Sequence, residues 1–214
     1  MLDIKVTLSQ NLKQKPVDES ALGFGRIFTD HMFLMDYEQG EGWKNARIVP
    51  YGSFAMDPAA MVLHYGQAIF EGSKCYRRAD GGLQLFRPQD NLARMTRSAE
   101  RMGMPALDEE TALEGLKQLI RIEEAWVPHR EGTSLYIRPT MISMDVGLGV
   151  HASKKYLFFI ILSPVGAYYT PVLPGLHGLF LYWITIRREF PPERLETSED
   201  RCFRRLQHRA EERK

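Results

Sequence analysis

One segment restricts the possible folds of this chain most strongly, because its polarity alternates residue by residue. In residues 134–143, Leu135 and Ile137 fall on one face of an extended strand, and Tyr136 and Arg138 fall on the other. A helix would scatter these side chains around its axis, whereas a strand separates them cleanly. The segment therefore predicts a β-strand with one apolar face and one face that carries a phenol and a guanidinium group.

A second strand and two amphipathic helices complete the core pattern. Residues 156–162 are an uninterrupted apolar run, which is typical of a strand buried on both faces. Pro88 fits the first turn of a helix that we expect to end near Gly103, and Asp108 can cap a second helix that we expect Pro128 to stop. The apolar positions are Leu92, Met95, Ala99 and Met102 in the first helix and Leu113, Leu116, Leu119 and Ile120 in the second.

Strand-like segments also precede the helices. Residues 27–35 resemble a strand, and residues 69–86 resemble a hairpin because Asp80, Gly81 and Gly82 form a turn signal within them. The order of strands, two helices and strands predicts an α+β fold, an α/β sandwich.

Composition excludes several functional classes. The 28 basic and 27 acidic residues leave a net charge of +1, so we expect no nucleic-acid partner. Two cysteines suit a reducing cytoplasm rather than a disulfide framework. Residues 156–186 carry no charged side chain, but prolines and glycines break the run, so we expect no membrane span.

The chain divides into three regions by composition. We expect a loose, polar N-terminal arm over 1–22, a folded domain over 23–169, and a tail over 170–214 that folds poorly. In residues 187–214, nine Lys or Arg and seven Asp or Glu leave little apolar material for a core.

Two arginines are the main candidates for chemistry. Arg138 on an inward-leaning strand needs an anion, which is either a ligand or a structural acid such as Glu71. Arg94 lies in the first predicted helix, where it either grips a phosphate or is simply solvated. Asp30 and His31 lack further residues at metal-ligand spacing, and no serine has the context of a catalytic triad.

Seven short segments, read together, resemble the branched-chain amino-acid aminotransferase family. Each is weak by itself, and their shared order makes the resemblance specific. The segments are residues 24–32, 64–72, 85–88, 91–95, 132–139, 147–150 and 163–169.

The resemblance implies a function and a set of site residues. It implies the N-terminal small domain of the fold-type-IV scaffold and transamination of leucine, isoleucine and valine with 2-oxoglutarate, using pyridoxal phosphate. Arg94 would bind the cofactor phosphate. The residues implied on the substrate side are Phe24 and Phe70 in the aliphatic pocket, Tyr136 and Arg138 beside them, and Tyr65 and Val150, which would reach the neighbouring subunit of a homodimer.

The resemblance stops after Tyr169. The family's second domain supplies a lysine that holds the cofactor covalently, and past Tyr169 the only lysine here is Lys214. We therefore expect this chain, with that domain missing, to be inactive alone, since no other side chain replaces that lysine well. The alternatives are a non-catalytic remnant that pairs with full-length subunits, a related aminodeoxychorismate lyase or D-amino acid aminotransferase, and an unrelated interaction domain.

Overall fold

A computed structural model describes residues 1–166, and the site that these residues form lies on one mixed sheet. The sheet has eight strands, which are β1 Lys5–Val6, β2 His31–Glu38, β3 Gly42–Pro50, β4 Ala68–Phe70, β5 Ser73–Arg77, β6 Leu83–Leu85, β7 Ser134–Ser143 and β8 Lys155–Val165. Their order is β1-β3-β2-β8-β7-β5-β6, with β4 paired separately to β7. Among the described residues, β1 and β3 form a parallel pair, and the other paired strands are antiparallel.

The helices are α1 Met61–Tyr65, α2 Pro88–Arg101 and α3 Glu109–Ile122, with short 3-10 helices at Glu19–Ala21 and Glu124–Trp126. α2 and α3 cover one face of this sheet. The core lies between the α2–α3 pair and the sheet, where the side chains of Phe33, Ile137 and Met95 are fully buried. Strands followed by two helices and two further strands confirm the α+β class.

The central strands follow from their sequences. β7 has the bounds predicted from its alternation, with Leu135 and Ile137 buried and Tyr136 and Arg138 half-buried on the opposite face. β8 extends the predicted apolar run by one residue at its start and by three at its end, and it pairs with β7 along the whole length of β7. Side chains of β8 pack in apolar clusters on both faces of the sheet, which explains why β8 tolerates so few polar residues.

Both predicted helices are confirmed, with two corrections. Met102 is the C-terminal cap of α2 and is largely exposed, so the buried stripe ends at Ala99. Pro128 does not end α3, which stops at Ile122 because the chain tightens there into the 3-10 turn that carries Trp126 into the core. Asp108 caps α3 as predicted, since its carboxylate accepts from the Thr111 backbone N–H.

Three expectations about the remaining segments need correction. The hairpin is confined to β5 and β6, because Ala68–Phe70 pair with β7 instead. The strand expected from Ile27 begins at His31, and the preceding Asp30 accepts the Lys13 backbone N–H with its carboxylate. The arm is not loose: β1 joins the sheet, and the Ser9 backbone N–H donates to the His31 ring.

The predicted membrane and tail properties concern residues that are mostly not described. In residues 1–166, no helix has the length and apolar character needed to cross a membrane. The apolar run beyond Gly166, the tail and the boundary at Tyr169 lie outside the described residues.

Candidate functional site

The candidate site is built on the face of β7 that points away from the helices. Tyr136 and Arg138 are two residues apart on this strand, so they share a face. The Arg138 guanidinium donates from Nη2 to the Tyr136 hydroxyl oxygen at 2.9 Å, and its central carbon lies 4.5 Å from the centroid of the Phe70 ring. Arg138 is thus held by a phenol and an aromatic face. The salt bridge to Glu71 considered for Arg138 does not form, since Glu71 binds another arginine.

Two aromatic side chains lie beside this strand. The Phe24 ring packs on Tyr136 with a centroid separation of 4.9 Å. The segment that carries Phe24 is held against β8, because the Gly166 N–H donates to the Gly23 carbonyl at 3.0 Å. Phe70, in β4, is largely exposed on the face that Arg138 occupies. The structure therefore brings Phe24, Phe70, Tyr136 and Arg138 together.

Gly72 lets the chain approach Tyr136 closely. A β-carbon built on Gly72 would overlap the Tyr136 hydroxyl oxygen, so any larger residue must displace the ring. Only hydrogen leaves room for the phenol in its present position. The glycine of the Phe70–Glu71–Gly72 segment consequently has a packing role in the site, in addition to any bend.

Arg94 reaches the site from α2 by way of Glu71. Its Nε donates to Glu71 Oε1 at 2.6 Å, and its Nη2 donates to Glu71 Oε2 at 2.5 Å. These hydrogen bonds raise the pKa of the Arg94 guanidinium above its ordinary value, so it stays charged. Arg94 is therefore not a simply solvated helix residue, although more than half of its side chain is exposed.

Sequence reasoning did not identify two further residues of this face. Lys74 in β5 and Ser163 in β8 lie directly opposite Tyr136 across the two neighbouring strand pairs. Glu71 was named as a candidate acid, but its partner is Arg94 and not Arg138. Among the described residues, the buried hydroxyl of Ser163 has no hydrogen-bond partner. Only the register of paired strands places these side chains together, and the sequence does not state that register.

Two residues that the resemblance implies on the substrate side, Tyr65 and Val150, do not lie beside Tyr136 and Arg138. Tyr65 ends α1, and its hydroxyl donates to the backbone carbonyl of Leu148. Val150 is 87% exposed in the same loop. Tyr65 and Val150 thus belong to an exposed apolar group on α1 and loop 145–150, separate from the Tyr136 face.

The chemistry of the Tyr136 face favours an anionic ligand. Three cations, Lys74, Arg94 and Arg138, lie on it or at its edge, and Glu71 is the acid that contacts Arg94. Guanidinium groups with free donors bind carboxylate and phosphate oxygens. In the part of the chain that the structure describes, no three His, Cys, Asp or Glu side chains are grouped to hold a metal ion.

Comparisons with known proteins find similarity to branched-chain aminotransferases over most of the chain. The chain is 58% identical over 157 residues to branched-chain-amino-acid transaminase 1 of Bacillus subtilis, covering 73% of this chain and 44% of that protein. It is 54% identical over 166 residues to branched-chain-amino-acid aminotransferase 2 of the same strain, covering 78% and 46%. The chain thus spans about half the length of the curated relatives it matches.

A comparison of structures finds a branched-chain amino acid aminotransferase of Escherichia coli. The identity is 26% and the TM-score is 0.49, over 64% of this chain and 41% of that one. No family model matches the chain.

Proposed function

Since about three quarters of this chain, from its N-terminal side, share a family with the branched-chain aminotransferases, we propose that the described residues form one part of the active site of such an enzyme. The proposed reaction is the transfer of an amino group between leucine, isoleucine or valine and 2-oxoglutarate, with pyridoxal phosphate as cofactor. The observation that carries the proposal is the face of β7 on which Tyr136 and the cationic Arg138 lie beside Phe24 and Phe70.

The residues present fit a phosphorylated cofactor. Arg94 keeps donors free on the exposed edge of its guanidinium while Glu71 occupies the other edge, so it can receive a phosphate with two parallel hydrogen bonds. When bound, pyridoxal phosphate supplies the electron sink that amino-group transfer needs. Arg94 would hold the phosphate and so fix the orientation of the ring.

The Tyr136 face suits the substrate. The Arg138 guanidinium donates to Tyr136 through one edge, so its other N–H groups remain for a substrate carboxylate. Phe24 and Phe70 offer apolar surface for a branched side chain, and each buried methylene contributes about 0.8 kcal/mol to binding. The face thereby orients an amino acid by its carboxylate and selects it by its side chain.

A second copy of the chain is the proposed partner. Tyr65 and Val150 are exposed on α1 and loop 145–150, away from the Tyr136 face of their own chain. Their apolar surface would be buried on forming a homodimer, in which they would reach the neighbouring site.

We do not expect the 214 residues by themselves to transaminate. Lys154 lies just before β8, and Lys155 is the first residue of β8. Both are far along the strand from Ser163, which pairs with Tyr136. Past Tyr169, the only lysine is Lys214. Without the lysine that the family resemblance places in a second domain, the proton transfers of the reaction lack their base.

Two measurements on the purified chain test this proposal. Pyridoxamine 5′-phosphate, which cannot form a bond to lysine, should bind saturably in calorimetry, and Arg94→Gln should weaken binding by about tenfold or more because a charge-assisted pair is lost. Binding that is indifferent to Arg94→Gln would contradict the assigned phosphate site.

The second measurement concerns the lysine. Incubation of the chain with pyridoxal phosphate should yield no transamination of leucine. It should also yield no absorbance band that borohydride removes, and borohydride should not attach the cofactor stoichiometrically to one lysine. Such labelling, mapped to a single peptide, would refute the expected inactivity while leaving the phosphate site intact.

A further inference from the structure

Glu71 holds the Arg94 guanidinium through one complete edge. The two hydrogen bonds run from Nε to Oε1 at 2.6 Å and from Nη2 to Oε2 at 2.5 Å. Two parallel bonds between planar groups fix both the position and the plane of the guanidinium. Arg94 would otherwise sample many rotamers, because its side chain is 57% exposed.

Glu71 is itself held firmly on two sides. Its backbone N–H donates to the Pro139 carbonyl of β7 at 2.9 Å, and its side chain is only 7% exposed. The next residue is tied to α2, because Asn91 Nδ2 donates to the Gly72 carbonyl at 3.2 Å. Asn91 and Arg94 are neighbours on one face of α2, so the helix and the Glu71–Gly72 link are joined at two points. The carboxylate therefore holds the guanidinium at a fixed position relative to β7.

The remaining donors of Arg94 define where a second anion can bind. A guanidinium has five N–H groups, and Glu71 takes one from Nε and one from Nη2. Both N–H groups of Nη1 and one of Nη2 remain, and no other acceptor among the described residues binds them. An anion at this edge does not have to displace Glu71.

We propose that Glu71 is a positioning residue, which orients the Arg94 guanidinium so that its Nη1–Nη2 edge is presented to a phosphate ester. The inference rests on the proposed function, in which Arg94 binds the cofactor phosphate. It extends that function by assigning a role to a buried acid beside an anion site, where an acid would otherwise be unfavourable.

Charge and orientation predict opposite effects of removing this carboxylate. A negative group close to a phosphate repels it, so Glu71→Gln would tighten binding if charge dominated. If orientation dominates, Glu71→Gln weakens binding, because an amide offers one oxygen where the guanidinium needs two. We expect the second result, a loss of about three- to tenfold, which corresponds to the freedom that one long side chain regains.

The test compares the affinity of the full chain for inorganic phosphate and for pyridoxamine 5′-phosphate in four proteins. These are wild type, Glu71→Gln, Glu71→Asp and the control Asp90→Asn, whose carboxylate pairs with Arg87 on the exposed side of the same helix. Glu71→Asp keeps the charge but draws the carboxylate back by one methylene group, so it should also weaken binding. Asp90→Asn should leave both affinities within about twofold of wild type.

Nitrogen-15 spectra of the arginine Nε–H groups provide a second readout. A general loss of stability would affect many of these signals, whereas loss of the Glu71 contact should affect the Arg94 signal alone. In wild type, the Arg94 Nε–H should give a distinct signal that is protected from exchange, and Glu71→Gln should abolish that signal alone. Assignment uses Arg94→Lys. Should Glu71→Gln fail to fold, Glu71→Asp supplies both measurements.

The outcomes separate the two proposals. Weaker binding in both Glu71 variants with loss of the Arg94 signal supports the positioning role. Wild-type binding that depends on Arg94 but is unchanged or tighter in Glu71→Gln overturns the positioning role alone. Wild-type protein that binds neither probe overturns the proposed phosphate site, and the role of Glu71 with it.

Discussion

A buried polar cluster around His31 shows how single residues hold the N-terminal arm in place. His31 Nε2 accepts from the Ser9 backbone N–H at 2.8 Å, so its proton lies on Nδ1, which donates to Glu123. The Asp30 backbone N–H donates to the other Glu123 oxygen, and burial raises the pKa of Glu123 above its ordinary value despite these bonds. The Asp30–His31 pair thus holds the arm and the C-terminal end of α3 against the sheet.

Removing His31 should be strongly destabilising. His31→Ala leaves Glu123, whose side chain is 1% exposed, buried without its main donor. Leaving a buried acceptor unsatisfied lowers the unfolding free energy by about 1–3 kcal/mol, and by more when the acceptor is charged. Urea unfolding measures the effect, with His151→Ala as the control because His151 forms an exposed pair with Asp145. Equal losses in the two variants would contradict the special role of the buried cluster.

Cys75 should be unreactive in the folded protein. Its side chain is fully buried, and burial raises the pKa of the thiol from 9.0 to about 11. Because the pKa is raised on folding, the buried neutral thiol contributes to the stability of the folded state. This contribution is fully present below pH 9 and is lost as the pH rises through 11. Near pH 8 the thiolate fraction is roughly a hundredfold lower than for a free thiol, so alkylation of the Cys75 peptide, followed by mass spectrometry, should slow at least as much. Equally fast labelling of native and urea-unfolded protein would show that the thiol is accessible.

Among the elements of the fold, helix α3 packs closely against the sheet at Gly115. A β-carbon on Gly115 would overlap the ring of Phe33, which is fully buried in β2 and packs edge-on against Phe158. Gly72 differs, because the atom that it would meet is the far end of the Tyr136 side chain. The first contact limits how closely a helix can approach the sheet, whereas the second shapes the site.

The close approach of α3 gives a prediction with a definite sign. Alanine in place of glycine favours a helix by about 1 kcal/mol, yet Gly115→Ala must displace a buried ring. Overpacking should outweigh propensity and lower the unfolding free energy by about 1–3 kcal/mol. Urea unfolding should detect this loss, while Lys117→Ala on the same helix should change stability by less than about 0.5 kcal/mol. A more stable Gly115→Ala protein would mean that α3 can move away from the sheet.

For the whole molecule, the two faces of the sheet have different roles. The α2–α3 face contains the main core, whereas the opposite face carries Tyr136 and Arg138 together with a smaller apolar cluster around Met32, Leu34 and Leu157. The exposed group on α1 and loop 145–150 adds further apolar surface. Under the proposed function, the first face serves folding and the opposite face would bind the ligand.

The proposed homodimer can be tested through loop 145–150. Leu148 is 68% exposed, and Leu148→Asp should shift sedimentation at micromolar concentration from dimer toward monomer, because a charge would be buried without a partner. Val17→Asp, which changes an exposed residue of the arm, should leave the dimer intact. A wild-type chain that sediments as a monomer at all concentrations would refute the dimer.

Local patterns in the sequence were sufficient to predict the elements of the core. The alternation in 134–143, the apolar run at 156–162 and the helical stripes each depend on burial of one face, and burial acts on neighbouring residues with a fixed period. The ends of the elements were less predictable. α3 ends at Ile122 and β2 begins at His31 according to contacts with residues that are distant in the sequence. Arg94 and Arg138 were candidates from their positions in the sequence, whereas the specific roles of Arg94, Tyr136 and Arg138 came from the resemblance to the family and stay predictions.

The partners of those residues depended on the tertiary structure. Arg138 was expected to meet Glu71 if it met an acid, yet Glu71 binds Arg94, twenty-three positions away, and Arg138 meets Tyr136. Lys74 and Ser163 became part of the site only when β5, β7 and β8 paired in register. The physical reason is that periodicity determines which face a side chain occupies, whereas long-range strand pairing and helix packing decide which side chains share that face.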